Sequence, residues 1–198
     1  MTASYEKTRY EIVNLLNDRY PHGIGCEVGV LRGNFSKHLL KHWNCKKLHL
    51  VDAWETYTEY DERFHEHKDN YNYTLNHLKE YGERVVFNKG FSHVVVTNFD
   101  DAMFDFIYID ANHSYEGCKQ DLNVYWNKLK PGGIIMGDDY HLDPIETVNF
   151  GKGNCIFGVN KAVNEFIKEK KIIMNLEYTG DWKYSSGLVS RNFIIQKN

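Results

Sequence analysis

Residues Phe104 to Ile109 form a nearly unbroken apolar run that stops at Asp110. A strand of this composition has no polar face to give to water, which predicts burial on both sides of a parallel sheet. Parallel neighbours must be joined by crossovers, usually helices, and the chain supplies them. Tyr115, Cys118, Leu122, Tyr125, Trp126 and Leu129 recur at three- and four-residue intervals. That spacing predicts an amphipathic helix terminated by Pro131-Gly132-Gly133. Ile134–Met136 then reads as the next strand, ending at Gly137-Asp138-Asp139.

The alternation extends along the chain. Apolar residues within 5–17 predict a helix stopped by Tyr20-Pro21-His22-Gly23, so that residues 1–22 form an N-terminal helical extension. Gly25–Val30 and Lys47–Val51 read as strands, the second ending at Asp52, with a helix over Phe35–Trp43 between them. Phe64, Tyr71, Leu75 and Leu78 predict a helix beginning near Asp61. A strand over Val85–Phe87 and a short helix within Val94–Phe99 follow, the latter despite its β-branched residues. Val159, Val163, Phe166 and Ile167 make a last helical face, and strands near Lys171–Glu177 and Phe193–Gln196 form an antiparallel ending.

The expected fold is thus α/β: a Rossmann-like, open, twisted and mostly parallel sheet with helices on both faces and an antiparallel C-terminal strand, in one domain over residues 1–198. Such sheets bind ligands beyond the carboxyl ends of their strands. Glu27, Asp52, Asp110, Asp138 and Asp139 all fall at or near those ends.

Composition narrows the class of function. A 198-residue chain with 42% hydrophobic and 26% charged residues can bury a core without disulfides. Its formal charge is -3 and it has no long basic block, so no nucleic-acid arm is expected. No apolar run reaches the roughly 18 residues of a membrane span, and the start, MTASYEKTRYEIV, is polar and charged. Cys26, Cys45, Cys118 and Cys155 lie far apart with no signal peptide before them, the pattern of a reducing, cytoplasmic setting.

Two segments carry candidate chemistry. In Gly25-Cys26-Glu27-Val28-Gly29-Val30-Leu31-Arg32-Gly33, Gly29 and Gly33 let backbone approach a ligand, and the Glu27 carboxylate suits a cationic group. The dinucleotide fingerprint G-x-G-x-x-G and the phosphate loop are both absent. Asp52 can accept hydrogen bonds from both hydroxyls of an adenosine ribose. Trp54 either stacks near the ligand or packs, and Ser92 either hydrogen-bonds a base or caps a helix.

The second constellation joins Asp110-Ala111-Asn112-His113 to Gly137-Asp138-Asp139-Tyr140-His141. If the two preceding strands are neighbours, three carboxylates and two imidazoles meet on one rim. A bound dication would relieve the repulsion, and a hydrogen-bonded acidic cluster is the alternative. Oxygen ligands favour magnesium, manganese or calcium, whereas His113 or His141 as a ligand would shift the preference toward a transition metal. Tyr115 and Lys119 have the Tyr-x-x-x-Lys spacing of reductases, but the first turn lacks the matching glycines. Cys118 lies on an apolar helix face and reads as structural.

These motifs resemble those of class I S-adenosylmethionine-dependent methyltransferases. The likeness is to the small metal-dependent O-methyltransferases related to the macrocin and mycinamicin sugar enzymes. It rests on Glu27–Gly33, Val51–Asp52, Tyr108–Glu116 and Leu129–Tyr140, and covers roughly residues 24–196. The resemblance implies Glu27 near the methionine amine, Asp52 on the ribose and Asp110, Asp138 and Asp139 on a magnesium or manganese ion. Gly29, Gly33, Ser92 and Asp110 complete the expected cofactor set. His113, or His141 in competition, then serves as general base.

The expected partner is a sugar or glycan hydroxyl, and the chain is compatible with a homo-oligomer. Tyr57, Tyr60, Tyr140 and Phe157 could line the acceptor pocket, with Asn112, His141 and Asn154 as its polar side. A catechol or other small molecule is the alternative acceptor. A related hydroxylase, an NAD-dependent reductase and a noncatalytic scaffold are the remaining readings.

Overall fold

The computed structural model describes residues 9–55, 69–140, 148–149, 154–155, 157–172, 177–183 and 189–198. Its parallel strands are β1 (Ile24–Val28), β2 (Lys47–Asp52), β3 (Val85–Lys89), β4 (Phe104–Ile109) and β5 (Leu129–Gly137). β6 (Val148–Asn149) and β7 (Asn154–Cys155) form a separate antiparallel pair. β8 (Glu177–Lys183) and β9 (Val189–Gln196) complete the main sheet, whose order is β3-β2-β1-β4-β5-β9-β8. β9 runs antiparallel to both β5 and β8. The architecture is the Rossmann-like mixed sheet that the alternation predicts.

Helices cover both faces: α1 (Ile12–Arg19), α2 (Asn34–His42), α3 (Asn70–His77), α4 (Ser92–Val95), α5 (Tyr115–Trp126) and α6 (Val159–Glu169). Alternation along each strand divides the core into two layers. Cys26, Val28, Ile107, Ile109 and Ile135 pack with Leu122 and Tyr125 of α5 and Val163 and Phe166 of α6. Leu48, Leu50, Phe106, Tyr108 and Met136 pack on the other side with Leu16 of α1 and Phe35, Leu39 and Leu40 of α2. Glu27 pairs in register with Leu50 and Tyr108, so it belongs to this second face, beneath α2. Among the described residues no helix is long and apolar enough to cross a membrane.

Several boundaries differ from the sequence reading. Helix α5 ends at Trp126, and Leu129 opens β5 opposite Phe104. Pro131-Gly132-Gly133 therefore lies inside the strand, at a pairing irregularity that tolerates proline. Ser92 starts α4 two residues before the predicted helix, and a 3-10 turn over Val96–Asn98 extends it. Lys171 is not in a strand. It takes a left-handed φ of 52° just after α6, and β8 begins only at Glu177. The predicted helix start near Asp61 lies outside the described residues. The first helix runs to Arg19, after a 3-10 turn over Arg9–Glu11.

Candidate active site

The carboxyl ends of β1, β2, β4 and β5 build one rim. Beyond β1, the chain turns through Gly29 (φ 89°), Leu31 (φ 53°) and Gly33 (φ 72°) before entering α2. Gly29 is required sterically as well as conformationally: a Cβ there would lie 2.0 Å from the Asp110 carbonyl oxygen. This close approach ties the β1 turn to the end of β4, where the Asp110 amide donates to the Val28 carbonyl at 2.7 Å.

Asp52 organises the same turn. Its Oδ2 accepts from the amides of Val30 and Leu31, both at 2.8 Å, and its Oδ1 from the Trp54 amide at 2.6 Å. A carboxylate has about four acceptor positions, so three are spent on backbone and one remains. Trp54 donates its indole N–H to the Leu31 carbonyl and packs on Tyr71 and Phe87, combining loop support with a place beside Asp52.

Glu27 is a buried carboxyl, 2% exposed, that accepts a 2.5 Å hydrogen bond from Ser36 Oγ. Ser36 is brought there by the first turn of α2. Burial pushes Glu27 up to about 8. The Ser36 bond and Arg9 oppose the rise, while Asp110 and Asp52 add to it. Ser92 instead donates to the buried Asp121 at 2.6 Å, joining α4 to α5. It caps no helix, because Phe91 holds the cap position. Burial raises Asp121 to about 6.

At the ends of β4 and β5 the consecutive residues Asp138 and Asp139 diverge. Asp139 has a left-handed φ of 57°, which turns its carboxylate toward His113 Nδ1 at 3.3 Å. The His113 ring also stacks on Phe157, with centroids 5.4 Å apart and planes 13° from parallel. Asp138 Oδ2 accepts from Arg9 Nη1 at 2.8 Å, and its Oδ1 from the Asp139 amide at 2.9 Å. Ligand atoms of Asp110, His113 and Asp139 all lie within 4.8 Å of one another. The group at metal-binding distance among the described residues therefore differs from the expected Asp110, Asp138 and Asp139, with His113 in the place of Asp138. His141, Tyr57 and Tyr60 lie outside the described residues. Tyr140 is buried beside Phe193 and accepts a hydrogen bond from Asn164.

Arg9 is the residue that sequence reasoning missed. One of its nitrogens, Nη1, faces Tyr108 Oη at 3.0 Å, Asp110 at 3.1 Å and Asp138 at 2.8 Å. Its guanidinium also lies over the rings of Tyr10, Phe35 and Tyr108. Burial works against its charge, but Tyr108, Asp110 and Asp138 outweigh that and keep it protonated. Burial, then Asp110 and Asp139, lifts Asp138 to about 7, while Arg9 and the Asp139 amide oppose the shift. Burial also raises Asp110, with His113 and Arg9 opposing and Asp139 adding. The available sequence signal is the repulsion argument itself, which allows a cation there without saying that an arginine supplies one.

Two decoys resolve structurally. Tyr115 donates to Glu165 at 2.5 Å and Lys119 pairs with Glu165 and Glu169, so the Tyr-x-x-x-Lys pair braces α5 against α6. Tyr115 thus bonds toward α6. Cys118 is buried and free.

A sheet of this order, mostly parallel with an antiparallel ending and helices on both faces, is a Rossmann-like fold. A family model described as a methyltransferase domain matches residues 26–140, more than half of the chain, and the chain belongs to that family. It is a methyltransferase. The O-methyltransferase NovP superposes with a TM-score of 0.66 at 16% identity, covering 96% of this chain and 77% of that one. A SAM-dependent methyltransferase from Methanosarcina mazei gives 0.65 at 12%, covering 93% and 96%. An O-methyltransferase from Bacillus cereus in complex with SAH gives 0.62 at 15%, covering 96% and 80%. At these identities the likeness is one of fold. No curated protein matches the sequence.

Proposed function

We propose that the protein is an S-adenosylmethionine-dependent O-methyltransferase acting on a hydroxyl of a sugar or glycan. One observation carries the reading: the Asp139–His113 pair stands beside Asp110 on the same rim that presents Glu27 and Asp52. The cofactor fits these residues. Glu27 is a buried acid with only Ser36 as donor among the described residues, a setting completed by a cationic amine. Asp52 keeps one acceptor position for the ribose.

S-adenosylmethionine, when bound, supplies an electrophilic methyl group on a sulfonium. The chain's own residues must then orient an acceptor oxygen in line with that methyl group and remove its proton. His113 turns Nδ1 toward Asp139, which leaves Nε2 to act as the base. The proton of the acceptor hydroxyl would pass to Nε2 of His113 as that oxygen takes up the methyl group the cofactor supplies. As the alternative to that base role, Asp110, His113 and Asp139 would hold a magnesium or manganese ion, which would lower the acceptor hydroxyl pKa, and a ligating His113 would then leave proton removal to another group.

The test is transfer of labelled methyl from S-adenosylmethionine to a panel of glycosides and catechols, with and without chelator. Label in a glycoside ether supports the reading. Saturable NAD binding without binding of either S-adenosylmethionine or its demethylated product overturns it.

A further inference from the structure

Arg9 holds a position on the acidic rim that a metal ion would otherwise contest. It bonds Asp110, a member of the candidate ligand group, and Asp138, the carboxylate next to that group. It is also anchored. The 3-10 turn that carries it leads directly into α1, whose Ile12, Val13 and Leu16 are buried against the sheet. The cation is therefore delivered by the fold and loses little freedom in binding, whereas a hydrated dication must shed water to enter. A guanidinium is delocalised and weakly hydrated, which suits this half-buried place.

We propose that Arg9 is the resident counter-cation of the rim and restrains divalent-cation binding there. It shares Asp110 with the ligand group and holds Asp138 away from Asp139 and His113. The inference rests on the reading that Asp110, His113 and Asp139 can hold a dication. A dication beside Arg9 meets like-charge repulsion and a carboxylate already engaged. Removing the guanidinium lifts the repulsion and frees two carboxylates for oxygen ligation.

The experiment is a Mn2+ titration of the full chain, read by the paramagnetic resonance signal of the free ion. Wild type, R9Q, R9K and the double variant R9Q/D138N are compared, and circular dichroism melts check that each is folded. R9Q is expected to bind Mn2+ at least about tenfold more tightly than wild type, the scale of one charge-assisted hydrogen bond. R9K keeps the charge but not the planar fork and should fall between them. Adding D138N to R9Q should remove most of the gain. Equal or weaker binding by R9Q overturns the restraint while leaving the dication reading standing. A gain that survives D138N overturns the role given to Asp138. No binding by either protein overturns the dication reading and the restraint together. If R9Q fails to fold, R9K decides, and binding no tighter than wild type overturns the proposal.

Discussion

Replacing Glu27 with glutamine isolates the energetic weight of one buried carboxyl. In the unfolded chain this group titrates near 4.5, and in the folded protein at about 8. Between those values the native state binds more protons than the unfolded state. The contribution to stability is therefore fully present below pH 4.5 and is lost as pH rises through 8. Each pH unit is worth about 1.4 kcal/mol, so the displacement corresponds to about 5 kcal/mol over the window. Glutamine preserves the shape and the acceptor for Ser36 but cannot titrate. E27Q should gain several kcal/mol on wild type between pH 5 and pH 9, measured by urea denaturation at a series of pH values. Asp138 at about 7 and Asp121 at about 6 shift in the same direction, but both remain in the variant, so the difference reports Glu27. A cationic amine docking beside Glu27 would also restore its charge. Binding of S-adenosylhomocysteine near pH 7 should then release about one proton in wild type and none in E27Q, seen as a buffer-dependent calorimetric enthalpy. Parallel stability profiles for the two proteins would refute the reasoning, because Glu27 would then enter the folded state already ionised.

Three further outcomes are expected. G29A places a Cβ 2.0 Å from the Asp110 carbonyl at a φ of 89°, and should cost about 2–4 kcal/mol in urea denaturation; wild-type stability would show that the β1 turn can move away from β4. D52A removes the acceptor for three backbone amides and the remaining ribose contact, and should weaken S-adenosylhomocysteine binding by about 1.5–3 kcal/mol. Unchanged calorimetric affinity would take Asp52 out of the cofactor site. H113A should lower single-turnover methyl transfer by roughly 10²–10⁴-fold while leaving that affinity nearly intact; a wild-type rate would move proton removal to another group.

How much of this was open to a reader of the sequence depends on which force sets each feature. The run Phe104–Ile109 is β4 residue for residue, because a strand buried on both faces leaves its composition in the chain and an acidic residue marks where burial stops. The end of β2 at Asp52 is legible for the same reason. Leu129 is different, since it continues the helical stripe of α5 and also suits a strand. Pairing with Phe104 decides between the two, and that partner lies 25 residues away. Likewise Tyr140 is an aromatic beside an acidic motif, and only the backbone pairing of Tyr140 with Arg191 shows that it turns into the core.

The acidic rim marks the limit most sharply. The sequence puts Asp110, Asp138 and Asp139 at the ends of strands that meet only if they are neighbours, and the repulsion among them then calls for either a cation or a hydrogen-bonded cluster. Neither step gives the direction of two consecutive side chains. That direction comes from one dihedral, the left-handed φ of Asp139, which sends its carboxylate to His113 while Asp138 faces Arg9. The cation itself arrives from the other end of the chain, 129 residues before Asp138, on a turn too short to show periodicity. Charge balance at a site is thus a property of the assembled rim. Arg9 completes it for two of the three carboxylates, and His113 stands against the third, so the rim carries a guanidinium and an imidazole side by side. That division keeps the imidazole beside one carboxylate and the guanidinium between the other two, so the charge of the rim is balanced by residues that reach it from two different segments of the chain.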